Sequence, residues 1–218
     1  MTYKDNRKSK VFLSKEGYDK YASFYDEKLD FLDGFEGEEI WKMIGKAEGK
    51  RVLDAGCGTG RLIKILFEKG AFVTGLDIAP EMLKIAGKKF KKAEFVEGNV
   101  EKMPFEDDSF DMVTAGFVIV HLKDLRKFFD EVYRILKPGG VFILTNVNQR
   151  KAPKLRLANR EDLVITSFYH IPKQVISALE ESFFNIEEEK FVHGNAVWIN
   201  QIIKATKGGL FDKNGGFK

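Results

Sequence analysis

The chain has 218 residues, 44% hydrophobic and 32% charged, a composition that fits one soluble globular domain able to bury a core. Its 36 basic and 33 acidic residues leave a net charge of +3, too balanced to argue by itself for nucleic acid, and no apolar run is long enough to span a membrane. The single cysteine, Cys57, excludes an internal disulfide; with a polar, basic start that lacks a secretion signal's apolar stretch, it predicts a cytoplasmic protein without a membrane partner.

Residues 1–13 read as a frayed, basic lead-in. From residue 14 to about 44 the pattern is helical, with Ser14 placed as a cap, and Tyr18, Tyr21 and Tyr25 fall on one helical face. Residues 46–50 link into the stretch Arg-Val-Leu-Asp-Ala-Gly-Cys-Gly-Thr-Gly-Arg, residues 51–61. Val52 and Leu53 end a buried strand there, and Leu62, Ile63, Ile65, Leu66 and Phe67 carry the spacing of a helix. Strands are expected at 71–76, 93–97, 110–116 and 141–145, with helices opening at Pro80 and covering 124–136. Lys137-Pro138-Gly139-Gly140 is read as an abrupt helix stop. A helix over 172–184 and strands over 186–192 and 196–205 follow, the last two joined as an antiparallel hairpin through His193-Gly194-Asn195. Residues 207–218 are Gly-rich and read as a disordered tail, leaving one domain over 1–206: a helical lid (1–48), a core (50–146), then a loop, helix and hairpin (147–206). Strands alternating with helical crossovers predict an α/β fold with a parallel sheet and helices on both faces.

Gly56, Gly58 and Gly60 sit between the first strand and its helix, where a glycine turn lets backbone N–H groups approach a ligand. The spacing is G-x-G-x-G, not the dinucleotide G-x-G-x-x-G, which argues against an NAD-dependent oxidoreductase. Gly60-Arg61-Leu62 also lacks the Gly-Lys-Ser/Thr ending of a phosphate loop. Asp54 would repel a pyrophosphate and suits a cationic or zwitterionic ligand. Asp77, at the end of the second strand, can accept hydrogen bonds from both hydroxyls of an adenosine ribose.

Residues 52–60 resemble the first motif of the class I S-adenosylmethionine-dependent methyltransferases. Met103-Pro104-Phe105, Asp108-Ser109-Phe110-Asp111 and Lys137-Pro138-Gly139-Gly140 extend the resemblance over about residues 50–146. It implies a Rossmann-like sheet of seven strands, five parallel plus a C-terminal antiparallel hairpin. It also implies methyl transfer from S-adenosyl-L-methionine by in-line displacement, leaving S-adenosyl-L-homocysteine. The cofactor-binding residues it implies are Asp54, Gly56, Cys57, Gly58, Gly60, Asp77, Ile78, Asn99, Val100 and Phe117, with Tyr21 from a helix that closes over the cofactor. The family usually has an aspartate at the position of Asn99, whose amide oxygen can still accept a bond from the adenine amino group.

On the acceptor side the candidates are Tyr25, Tyr169, His170 and Arg156. His121, where the fourth strand opens towards the methyl group, is a candidate general base or a residue that orders its loop. Arg150, Lys151, Lys154, Arg156 and Arg160 form a basic loop, either solvated or holding an anionic acceptor. A compact domain with no added RNA-binding module favours a small-molecule acceptor. The alternatives are a tRNA or rRNA methyltransferase using the basic loop 150–160, and a cofactor-binding protein without catalysis. The fourth strand runs into Ala115-Gly116-Phe117-Val118, so the motif for methylating exocyclic base amines is absent. No ligand spacing implies a metal.

Overall fold

The computed structural model describes residues 9–36, 38–157, 161–194 and 197–208. Strand β1 (Lys10–Phe12) leads into helix α1 (Ser14–Tyr25), a 3-10 turn (Asp26–Lys28), α2 (Leu29–Asp33) and α3 (Glu39–Ile44). An alternating run follows: β2 (Arg51–Ala55), α4 (Arg61–Glu68), β3 (Phe72–Asp77), α5 (Pro80–Lys89), β4 (Glu94–Glu97), β5 (Phe110–Ala115), α6 (Arg126–Ile135) and β6 (Leu136–Val147). The short strands β7 (Lys154–Arg156) and β8 (Asp162–Ile165), helix α7 (Pro172–Glu181) and the long strands β9 (Phe184–Gly194) and β10 (Val197–Lys207) complete it.

Seven strands form one sheet in the order β4-β3-β2-β5-β6-β10-β9. β2 to β6 are mutually parallel, and β10 runs antiparallel to both its neighbours. The expected parallel sheet closed by a hairpin is therefore present. Apolar residues on both sides of β2 explain why it lies at the centre. Val52 packs towards Ile40, Leu62 and Leu66 of α3 and α4, while Leu53 joins Phe128, Val132 and Leu179 of α6 and α7. The strand order reverses between β2 and β5, and in such sheets the crevice at the carboxyl ends of the strands receives ligands.

Five local expectations are corrected. Residues 10–12 are not frayed: they pair in parallel with 163–165, and β1, β8 and β7 make a second, three-stranded sheet. Ser14 is not the cap of α1; Leu13 holds that position, without a side-chain hydrogen bond. The helical pattern over 14–44 is broken into segments, α1, a 3-10 turn, α2 and α3, and polar residues at the breaks bond back to the body of the fold. Asp26 accepts from Thr59 Oγ1 (2.6 Å) and Lys89, and Glu36 turns inward to Arg61. Lys137-Pro138-Gly139-Gly140 is not a loop between helix and strand, since β6 begins at Leu136 and carries the irregular pairing opposite Phe110 and Met112. Lys207 ends β10, with its ammonium on Asp108 and on the Leu136 carbonyl. The remainder of the predicted tail, from residue 209, lies outside the described residues, as do Asn195 and Arg160.

Candidate active site

The glycine turn sits at the carboxyl end of β2. Gly56 has φ 71° and Gly58 φ 53°, and a Cβ at Gly56 would overlap the Val118 side chain. Only glycine fits both constraints there. Asp77 holds the turn in place: its Oδ2 accepts from the Gly58 N–H (2.8 Å) and its Oδ1 from the Ala79 N–H (2.9 Å). Burial pushes its carboxyl above the usual range, and these backbone N–H groups offset that only in part. The Asn99 Oδ1 accepts from the Glu101 N–H (2.9 Å), which turns the chain after β4.

Asp54 lies beneath this floor. It is 2% exposed, its Oδ1 accepts from Thr114 Oγ1 (2.8 Å), and burial raises its pKa to about 7. Cys57 is likewise buried, its thiol pushed up by desolvation.

At the end of β5 the chain makes a left-handed residue, Phe117 (φ 59°), whose N–H donates to Thr145 Oγ1 (2.8 Å). A bulky residue in this conformation is strained, and the surroundings hold it there. The Arg61 guanidinium lies over its ring, 4.8 Å from the centroid, and Arg61 forks onto Glu36, which is 1% exposed. Burial pushes the Glu36 carboxyl up while Arg61 opposes it. Nearby, the Tyr18 hydroxyl is 2.7 Å from Nε2 of His121, and His121 Nδ1 is 3.0 Å from the Thr166 carbonyl. A carbonyl only accepts, so Nδ1 carries the proton and Nε2 accepts from Tyr18. Burial lowers the His121 pKa below 6.5, partly offset by the Thr166 contact, so the ring is neutral at pH 7. Desolvation holds Tyr18 well above 10 and Tyr25 at about 12.

Two cavities meet at these residues. The smaller, about 180 Å³, is lined by Gly56, Gly58, Asp77, Ile78, Asn99 and Val100, with Glu101 at its edge. The larger, about 520 Å³, is walled by Tyr21, Phe31, Phe35, Val120, Leu155 and Ile165. Tyr18, Tyr25, Phe117 and His121 line both. Of the sequence candidates, Asp54, Cys57, Gly60, Tyr169, His170 and Arg156 line neither, and Tyr21 lines only the larger. His170 Nε2 lies 3.0 Å from the Ile119 carbonyl and 2.9 Å from that of Leu122, shaping the turn that carries His121. Tyr169 packs under Arg150, and Arg156 pairs with Asp162 across β7 and β8. Sequence reasoning missed Tyr18 as a site residue, along with Glu36 and Phe31. The tyrosine stripe was the signal for Tyr18; an acidic run hides Glu36.

A family profile described as a methyltransferase domain matches residues 53–144. The demethylmenaquinone methyltransferase of Staphylococcus aureus is 30% identical, over 98% of this chain and 96% of that protein. The chain is a class I S-adenosylmethionine-dependent methyltransferase. A second similar protein, the demethylmenaquinone methyltransferase of Chlorobaculum tepidum, is 39% identical over 64% of this chain; the match spans 62% of that relative, less than two thirds of its length. Among solved structures, an S-adenosylmethionine-dependent methyltransferase from Mesorhizobium loti superposes with a TM-score of 0.68 at 21% identity, covering 80% of this chain and 99% of that one. One from Aquifex aeolicus gives 0.65 at 22%, covering 86% and 97%. At such identities these two speak for the fold. S-adenosylmethionine is the methyltransferase's donor, and the smaller cavity suits it. Its charged lining side chains are carboxylates, Asp77 and Glu101, facing a ligand that carries a sulfonium and an ammonium, and the glycine floor leaves room for close backbone approach. Among the described residues no group of side chains could hold a metal, and no helix is long and apolar enough to cross a membrane.

Proposed function

We propose that the methyltransferase transfers its methyl group to a small aromatic acceptor of the quinol class, a reduced demethylmenaquinone or a close analogue. The observation that carries this reading is the Tyr18–His121 pair at the junction of the cavities, 2.7 Å apart, opening on one side to the acidic pocket and on the other to an aromatic one. Tyr, Phe and Leu side chains suit a flat bicyclic ring with an apolar chain. The names of the relatives support the same class.

In this reading Asp77 holds the cofactor ribose, and Ile78, Asn99 and Val100 surround the adenine. S-adenosylmethionine supplies an electrophilic methyl with a neutral thioether as leaving group, so positioning supplies much of the rate. The reduced ring is the nucleophile. Loss of a hydroxyl proton raises electron density on the neighbouring carbon, which bonds the methyl; the hydrogen on that carbon then leaves as a proton and aromaticity returns. His121 is the base for the first proton. Tyr18 takes it from the acceptor hydroxyl while passing its own to Nε2, and the Thr166 carbonyl keeps the imidazole in the tautomer that can accept it. Phe117 and Tyr25 fix the angle between the two ligands.

The test is a transfer assay with methyl-labelled S-adenosylmethionine and demethylmenaquinone, chemically reduced or left oxidised. Label should enter only the reduced compound, one methyl per ring by mass spectrometry. Label that appears instead in cellular RNA or in an unrelated metabolite overturns the acceptor assignment.

A further inference from the structure

We propose that the face around the mouth of the larger cavity docks on an anionic lipid surface, so that the acceptor passes from bilayer to cavity. The inference rests on the lipophilic acceptor proposed above. It starts from an imbalance of charge: the described residues lining the larger cavity include Lys28, Arg150, Lys151 and Lys154 and no carboxylate. All four are exposed, and Lys28, Lys151 and Lys154 make no ion pair with any described residue. Other exposed lysines, such as Lys64 and Lys173, are also without an ion pair to a described residue, so it is the clustering of cations with no carboxylate among the cavity's lining residues that sets this face apart.

Large apolar side chains are exposed on and beside the elements that wall this cavity. Phe31, which lines the cavity, is 65% exposed, and Val11 and Leu13 are 68% and 73% exposed. The register of the small sheet explains their placement. Val11 lies opposite Val164, and Val164 opposite Lys154, so these three share the outer face; Phe12, Leu163, Ile165 and Leu155 turn inward against Tyr21 and the cavity. One thin sheet thus presents Val11 and Val164 outward while its other side walls the cavity, and Lys154, on the edge strand β7, reaches the cavity rim. Cations with interleaved apolar side chains are what an anionic bilayer surface binds: headgroups take the lysines and the interface takes the apolar tips. A soluble anion would engage the cations but leave Val11, Leu13 and Phe31 in water. A surface dock needs no spanning helix.

The test is flotation of the intact chain with vesicles of phosphatidylglycerol and phosphatidylcholine in equal parts, beside vesicles of phosphatidylcholine alone. The protein should float with the anionic vesicles, remain behind with the neutral ones, and be released by high salt. A Lys28→Glu/Lys151→Glu/Lys154→Glu variant should lose partitioning by about 100-fold or more. A Leu13→Ser/Phe31→Ser variant should lose about tenfold. Both should bind S-adenosylmethionine like the parent, which shows that they fold. Failure of the parent to float, or equal flotation of the charge-reversed variant, overturns the proposal; so does displacement from the vesicles by total RNA. A short-chain, water-soluble demethylmenaquinol separates this idea from the one it rests on. Its methylation by a protein that ignores vesicles removes only the dock, and vesicle binding without its methylation removes only the acceptor assignment.

Discussion

The smaller cavity is built on the rigid carboxyl ends of β2, β3 and β4, with its charged side chains acidic and every polar contact of Asp77 made to backbone. The larger is walled by α1, the short α2 and the three-stranded sheet of short strands, with cations at its mouth and aromatic rings inside. The two are opposite in charge and share only the four side chains between them. One half reads as a fixed socket for a cationic donor, the other as a set of interchangeable walls around whatever is methylated. Loops and short elements are where enzymes on one scaffold differ, so the acceptor must be argued from the second half alone.

The strongest way to break this division is Asp77→Ala. It removes two backbone anchors together with the proposed ribose acceptor, and S-adenosylmethionine affinity should fall by about 1000-fold in calorimetry; unchanged affinity would sink the assignment of the smaller cavity. Asp54 asks whether the acidic character extends beneath the floor. Its folded pKa, about 7, lies above the ordinary 3.8, so the stability it contributes is full below pH 3.8 and is lost as pH rises through 7. Asp54→Asn keeps an oxygen for Thr114 and removes that slope. Its unfolding free energy, measured against the parent in denaturant, should gain on the order of 3 kcal/mol between acid and neutral pH. A constant difference would mean that the Asp54 carboxyl titrates alike in the folded and unfolded chain, with no shift from burial.

At the junction, His121→Ala should cut turnover by about 100-fold while cofactor affinity stays near that of the parent. In the parent the rate should be flat near neutrality and fall only on the acid side of pH 6.5, because burial lowers the His121 pKa. An acid limb centred above pH 7 contradicts the buried, neutral imidazole. The smallest effect is Tyr18→Phe: a drop of about tenfold in kcat with little change in KM, since the ring still walls both cavities and His121, which lines them too, then takes the proton without the relay. A KM effect alone would reduce Tyr18 to packing.

The first half of this comparison was legible in the sequence and the second was not, for a physical reason. Gly56, Gly58 and Asp77 obey local rules, a positive φ and a carboxylate at a strand end, which a short motif can carry. The parallel strands were readable because β2, β3 and β5 are buried on both faces and so are mostly apolar, their few polar residues, such as Asp54 and Thr114, included in that burial. β1 and β7 have three residues each, too few for a period, and they exist because Leu163 and Ile165 of β8 pack on Tyr21. Glu36 stands in an acidic run that reads as solvated surface; its burial depends on Arg61, 25 residues away. Tyr169 and His170 stand near the site by topology, yet their side chains serve the scaffold, a distinction that spacing does not encode.

Thr166 gives the small sheet a further meaning. Its N–H and hydroxyl both reach the Phe12 carbonyl, across a separation of 154 residues, while its own carbonyl orients His121. Contacts so distant in the chain close late in folding, after the cost of the long loop has been met. The central sheet can therefore assemble while the imidazole still turns freely. A protein clipped after Leu13 should keep its glycine turn and Asp77 yet lose the strand that fixes Thr166, and with it the support of one of the two contacts on the imidazole.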